Sequence, residues 1–195
     1  MVEFKDYSGE FSPDATFEDL SKDALVRLIK NYQRIFVGHM GMWNTVNKER
    51  GMSDEEAWGL DSSVYERQVA QFEVPLVREA LNIRGNDVVS MLKYFQMCPD
   101  GAREGLYNWH WDVRNNNHAI GTCSYCATLH YYERRGDKKG IELLCWPGNC
   151  EDRAFNAIAK CFHPDMKCIP LKLPPRKSDD DICCIWEFKR EESKN

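Results

Sequence analysis

Apolar residues in the first hundred positions recur every three or four residues, the period of a helix with one buried face. After Ser21, a potential N-cap, they fall at Leu25, Leu28, Tyr32, Ile35, Phe36, Met40, Trp43 and Val46, and Gly51 closes the run. Ser53 and Glu56 form an S-x-x-E capping box for a second helix, striped by Trp58, Asp61, Tyr65, Val69, Phe72, Leu76, Ala80 and Ile83. Pro75 lies inside that stripe and predicts a kink or a restart, because it brings no amide hydrogen to the helix ladder. Asn86 and Asp87 open a third helix through Met91, Leu92 and Phe95, ending at Cys98-Pro99.

The period then shortens to two. In GLYNWHWDVR, Tyr107, Trp109, Trp111 and Val113 alternate with Asn108, His110, Asp112 and Arg114, as on a strand. NNN at 115–117 is a turn signal, and HAIGTCSYCATLHYYERR is expected to return as the second strand of a hairpin. IELLCW reads as a short third strand. Asn149 caps a helix through Phe155, Ile158, Ala159 and Phe162, KCIPLKL is an edge strand because of Pro170, and ICCIWEF is the last strand. The expected fold class is α+β, with N-terminal antiparallel helices packed on a C-terminal, mostly antiparallel sheet of about five strands with one inserted helix. A helical segment, 1–98, and a cysteine-rich α+β segment, 99–195, are expected to form one integrated domain.

Composition narrows the classes of function. The net charge is -5, which argues against general affinity for nucleic acid. No apolar run approaches the roughly 18–20 residues of a membrane span, and the N-terminus lacks the basic-then-apolar pattern of a signal peptide. A cytoplasmic protein is therefore expected, with reduced thiols. Its nine cysteines are an odd number, which speaks against a complete disulfide framework.

Four of those cysteines stand in GTCSYCATLHYYERRGDKKGIELLCWPGNC, residues 121–150. On a regular strand residues three apart point oppositely, so Cys123 and Cys126 could not bind one ion. Either a turn near Gly121 makes a metal knuckle, or only one of the two is a ligand. The other thiols sit at the ends of elements: Cys145 three residues after Glu142, Cys150 at a helix start, Cys168 and Cys184 in strands. Thiolates suit zinc or an iron–sulfur cluster, and buried packing is the competing role for each cysteine. Cys150 just after Asn149 would face the positive end of a helix, which favours a nucleophilic thiolate, with His130 or His163 as a base. His39 and Asp61 interrupt apolar stripes and are candidates for an acid–base pair. Trp109 and Trp111 are candidate walls for a planar ligand, with core packing as the alternative.

CATLHYYERRGDKKGIELLC together with CIPLKLPP and DICCIWEF resembles an uncharacterised, cysteine-containing family of cytosolic proteins related to the L-2-amino-thiazoline-4-carboxylate hydrolase-like group. GMSDEEAW at 51–58 is similar to that family's long paired helices, so the likeness spans most of the chain. The resemblance implies Cys126, Cys145, Cys168 and Cys184 as the matching cysteines and a hydrolytic reaction. A fainter likeness is to the 4-vinyl reductase domain, whose E-x-x-C and following cysteine match Glu142, Cys145 and Cys150 with a shorter final gap, or whose closing cysteine-aromatic strand alternatively matches Cys184-Ile185-Trp186. The expected function is a cysteine-rich, hydrolase-like metalloenzyme acting on a small heterocyclic or aromatic molecule. The alternative is a binding or sensing module with a structural zinc. The expected partners are a small molecule and, in a homo-oligomer, a second copy, with neither nucleic acid nor membrane.

Overall fold

The structure, a computed structural model, describes residues 4–101 and 106–191. Its helices are α1 (Lys22–Glu49), α2 (Asp54–Gln68), α3 (Val74–Ala80), α4 (Val88–Met97), α5 (Ala127–Arg135), α6 (Lys138–Cys145) and α7 (Cys150–Phe162). The strands are β1 (Tyr107–Asn115), β2 (His118–Cys126), β3 (Met166–Lys172) and β4 (Cys184–Arg190). They form one antiparallel sheet in the order β1-β2-β4-β3.

The helix starts follow the capping chemistry of the sequence. Ser21 accepts the amide hydrogen of Ala24, Asp87 that of Ser90, and Ser53 and Glu56 form the reciprocal box. Between α2 and α3 the chain winds one wide turn, Val69–Glu73, in which the Val74 amide reaches back to the Val69 carbonyl. Pro75 follows at the start of α3, and the wide turn relieves the clash of its ring with the carbonyl four residues earlier. α1 departs from expectation. Its buried residues are Ala24, Asn44 and Asn47, while half of its apolar stripe, Tyr32, Ile35, Trp43 and Val46, is exposed.

The second half is more helical than its sequence suggests. The strand expected over 119–132 ends at Cys126, and α5 begins there. IELLCW, expected as a strand, lies mostly in α6, capped by Asp137 on the Gly140 amide. A short apolar run fits both periods, and here the capping groups decide. The sheet therefore has four strands rather than five, and three helices separate β2 from β3 rather than one. Pro170 stands on the edge strand β3, where no inner ladder needs its missing donor.

One apolar core joins both halves, with Tyr65, Val69 and Met91 packed with Ala119, Ile158, Trp186 and Phe188. Gly121 is required by that packing, because a Cβ there would lie 2.5 Å from the Trp111 ring and 2.8 Å from Phe188.

Candidate functional site

A cavity of about 160 Å³ opens between the α1–α2 hairpin and the end of the sheet. Met40 and Asn44 of α1 line it, with Trp58, Asp61 and Tyr65 of α2 and Asp100 after α4. Across from them stand Tyr107 and Trp109 of β1, Tyr132 of α5 and Phe155 of α7. Cys123, Cys126, Cys150, Glu151 and Cys184 also line it. α2 and α7 are tied beside the cavity by Arg153, whose guanidinium gives Glu66 two hydrogen bonds of 2.8 Å.

The gathering of the thiols depends on a strand irregularity. β1 advances from Asn108 to Trp109 while β2 goes from Tyr125 to Cys123, which leaves Ser124 as an extra residue. This bulge breaks the alternation, so both Cys123 and Cys126 are buried. Neither a knuckle at Gly121 nor a split pair is needed. Cys123 stands opposite Cys184 in the ladder, and its thiol donates to the Tyr125 carbonyl at 3.0 Å. Cys126 is the N-cap of α5, its sulfur accepting the Leu129 amide hydrogen at 3.3 Å. Cys145, at the end of α6, is buried close to the Glu151 carboxylate.

Of the four cysteines matched by resemblance, Cys126, Cys145 and Cys184 are neighbours, and Cys168 is not among them. It pairs across the sheet with Phe188, roughly 13 Å along the strand from Cys184, and its thiol donates to the Phe155 carbonyl. Cys123 takes its place beside the other three. Glu142 is also set apart, in an ion pair with Lys139. The acid that joins the thiols is Glu151, which sequence reasoning did not single out. All nine cysteines are free thiols.

Electrostatics separate the candidates further. Burial pushes Glu151 up to about 7, with the Cys145 thiol acting in the opposite sense. Burial, then Glu151, lifts the thiols of Cys126 and Cys145 well above their usual range. Cys150 does begin α7 at the cavity, yet burial and the adjacent Glu151 push its thiol up to about 12. The expectation of a helix-activated nucleophile is thus corrected, because desolvation outweighs the helix dipole. Asp61 faces the cavity, accepts from Asn44 Nδ2 at 2.8 Å, and is raised by burial. His39 does not reach it. That imidazole is exposed on α1 and accepts from Trp43 Nε1 at 2.9 Å, so the expected acid–base pair is not formed. His130 packs against Tyr125 outside the cavity lining. Trp109 walls the cavity, and Trp111 stacks on it at 5.1 Å within the core.

A second polar cluster adjoins the cavity. Glu73, Cys98 and Asp100 hold their ligand atoms within 4.8 Å of one another, the only such group of three among the described residues. Its atoms are already engaged: Tyr94 donates to Glu73, Gln68 donates to Glu73 at 3.1 Å, and Tyr65 donates to Asp100 at 2.6 Å. Burial, then Asp100, pushes Glu73 up to about 7. No protein-family model, curated protein or solved structure matches the chain. No helix among the described residues is long and apolar enough to cross a membrane.

Proposed function

We propose that the cavity binds a small, flat, mostly apolar molecule bearing a hydrogen-bond donor or a positive charge, and that the protein is a hydrolase-like enzyme. Glu151 is the proton-transfer group. The observation that carries this reading is a carboxylate on an apolar wall that titrates at about 7, where both of its forms are populated at neutral pH. Trp109, Trp58, Tyr132 and Phe155 supply faces for a ring, and Asp61 and Asp100 supply acceptors.

Charge selects the ligand. Among the described residues the lining holds three carboxylates and no lysine, arginine or histidine. An anionic heterocycle, such as the thiazoline carboxylate of the group this chain resembles, meets no counter-charge there. The resemblance therefore supports a class of reaction and not that substrate.

A second reading adds a metal and is favoured by Cys123, Cys126, Cys184 and Glu151 lining one cavity with Cys145 nearby; no three of their ligand atoms lie within 4.8 Å of one another, so zinc would have to draw them together. A mixed set of sulfur and oxygen donors suits zinc better than an iron–sulfur cluster. Zinc would deprotonate the thiols that burial otherwise keeps neutral.

Thermal-shift binding with small aromatic amines and their carboxylate counterparts tests the cavity. Amines are expected to raise the melting temperature and carboxylates to leave it unchanged; equal binding of both overturns the charge argument. Turnover of heterocyclic amines and amides is expected to show a pH limb near 7 that Glu151→Gln abolishes, and a profile unaltered by that change removes Glu151 from the chemistry. Elemental analysis after oxygen-free purification tests the zinc. One zinc per chain, lost in Cys126→Ser/Cys184→Ser, is expected, and folded metal-free protein ends the second reading.

A further inference from the structure

α1 spends 28 residues on a helix that packs chiefly against α2 and leaves Tyr32, Ile35, Met42, Trp43 and Val46 exposed, with Leu25 and Leu28 half-buried. Ile35 is 64% exposed and Met42 63%. Leu25, Leu28, Tyr32, Ile35, His39, Met42 and Val46 step by three and four without a break, which is the a/d spacing of a coiled-coil seam over three heptads. We propose that this seam pairs with α1 of a second copy of the chain, forming a two-fold symmetric dimer.

Three observations select that occupant. Strict three–four spacing matches the knobs and holes of another helix, which a small molecule does not have. The positions flanking the seam are Ile29, Phe36 and Trp43 on one side and Asn31, Gly38 and Thr45 on the other. None is charged, although α1 carries Arg27, Lys30 and Arg34 elsewhere. Charged flanks would choose a different partner or repel an identical helix; uncharged flanks admit a copy. Lastly, the undescribed stretches of the sequence are each far shorter than the seam. These are 1–3, 102–105 and 192–195, whereas the seam runs about 32 Å at the helical rise. His39, the one polar seam residue, accepts a hydrogen bond from Trp43, and a single polar a position sets the register of such pairs.

Light scattering coupled to size exclusion, at tens of micromolar, reads the outcome. The expected mass is about 46 kDa, twice the 22.8 kDa of one chain. Ile35→Glu/Met42→Glu is expected to halve it with an unchanged circular dichroism spectrum, because both side chains are outside the core. Val113→Glu, an equally solvent-facing change on β1, is expected to leave the dimer intact. Wild-type protein at 22.8 kDa, or a double variant that keeps the dimer mass, overturns the proposal. So does a monomer that sediments with anionic phosphatidylserine vesicles, which would assign the face to lipid.

Discussion

Glu73, which is buried, and Glu151, which is half-buried, are carboxylates both raised to about 7, and they keep opposite company. Glu73 is surrounded by donors of the protein's own making: Tyr94 and Gln68 bond it directly, and Tyr65 bonds the neighbouring Asp100. Glu151 has the Cys145 thiol on one side and a cavity on the other. The first arrangement is internally satisfied and serves stability. The second leaves hydrogen-bonding capacity facing a space that a ligand can fill, which is how a site differs from a structural network with a similar titration.

The sharpest way to break that comparison is to truncate each acid. Glu73→Ala strands the Tyr94 hydroxyl and the Gln68 amide in the core and is expected to cost about 3–4 kcal/mol of stability, read from urea unfolding. A loss near zero would mean the network is not structural. Glu151→Gln is expected to act in the other direction. The folded state holds the Glu151 proton up to about pH 7, whereas the unfolded chain releases it near 4.5. Ionisation therefore costs nothing below 4.5, costs progressively more between 4.5 and 7, and reaches its full penalty above 7. The Gln variant should gain about 2–3 kcal/mol at pH 8 and nothing at pH 4. A gain independent of pH would contradict the assignment. The smallest effect belongs to the thiol floor: Cys126→Ser keeps an N-cap acceptor for Leu129 and is expected to cost about 1 kcal/mol or less. A much larger loss in metal-free protein would make the floor structural as well.

Much of this arrangement was legible in the chain. Ser21, the Ser53–Glu56 box and Asp87 start helices where the sequence places them, because a cap is a local bond between residues two or three apart. α5 and α6 were not legible as helices, since ATLHYY and IELLC are too short for periodicity to choose between strand and helix. The candidates Cys123, Cys126, Cys150, Cys184, Asp61 and Trp109 line one cavity, while His39, Glu142 and Cys168 lie elsewhere. Glu151 escaped notice because an acid in the first turn of a helix is ordinarily solvated there. Only the tertiary packing of α2 and α6 around α7 turns it inward.

The wide turn at Val69–Glu73 and the bulge at Ser124 share a consequence at the level of the gene. Each is a single surplus residue in an otherwise regular element. Loss of the Ser124 codon would leave Cys126, Tyr125 and Cys123 facing Tyr107, Asn108 and Trp109 in an unbroken ladder, with both thiols still on one face. Loss of one codon from the turn would return it to ordinary helical winding and bring the Pro75 ring back against the preceding turn. Two chains that align with a one-residue gap at either place can therefore share this fold and the facing of its acids and thiols, so an insertion or deletion there is no sign of a different site.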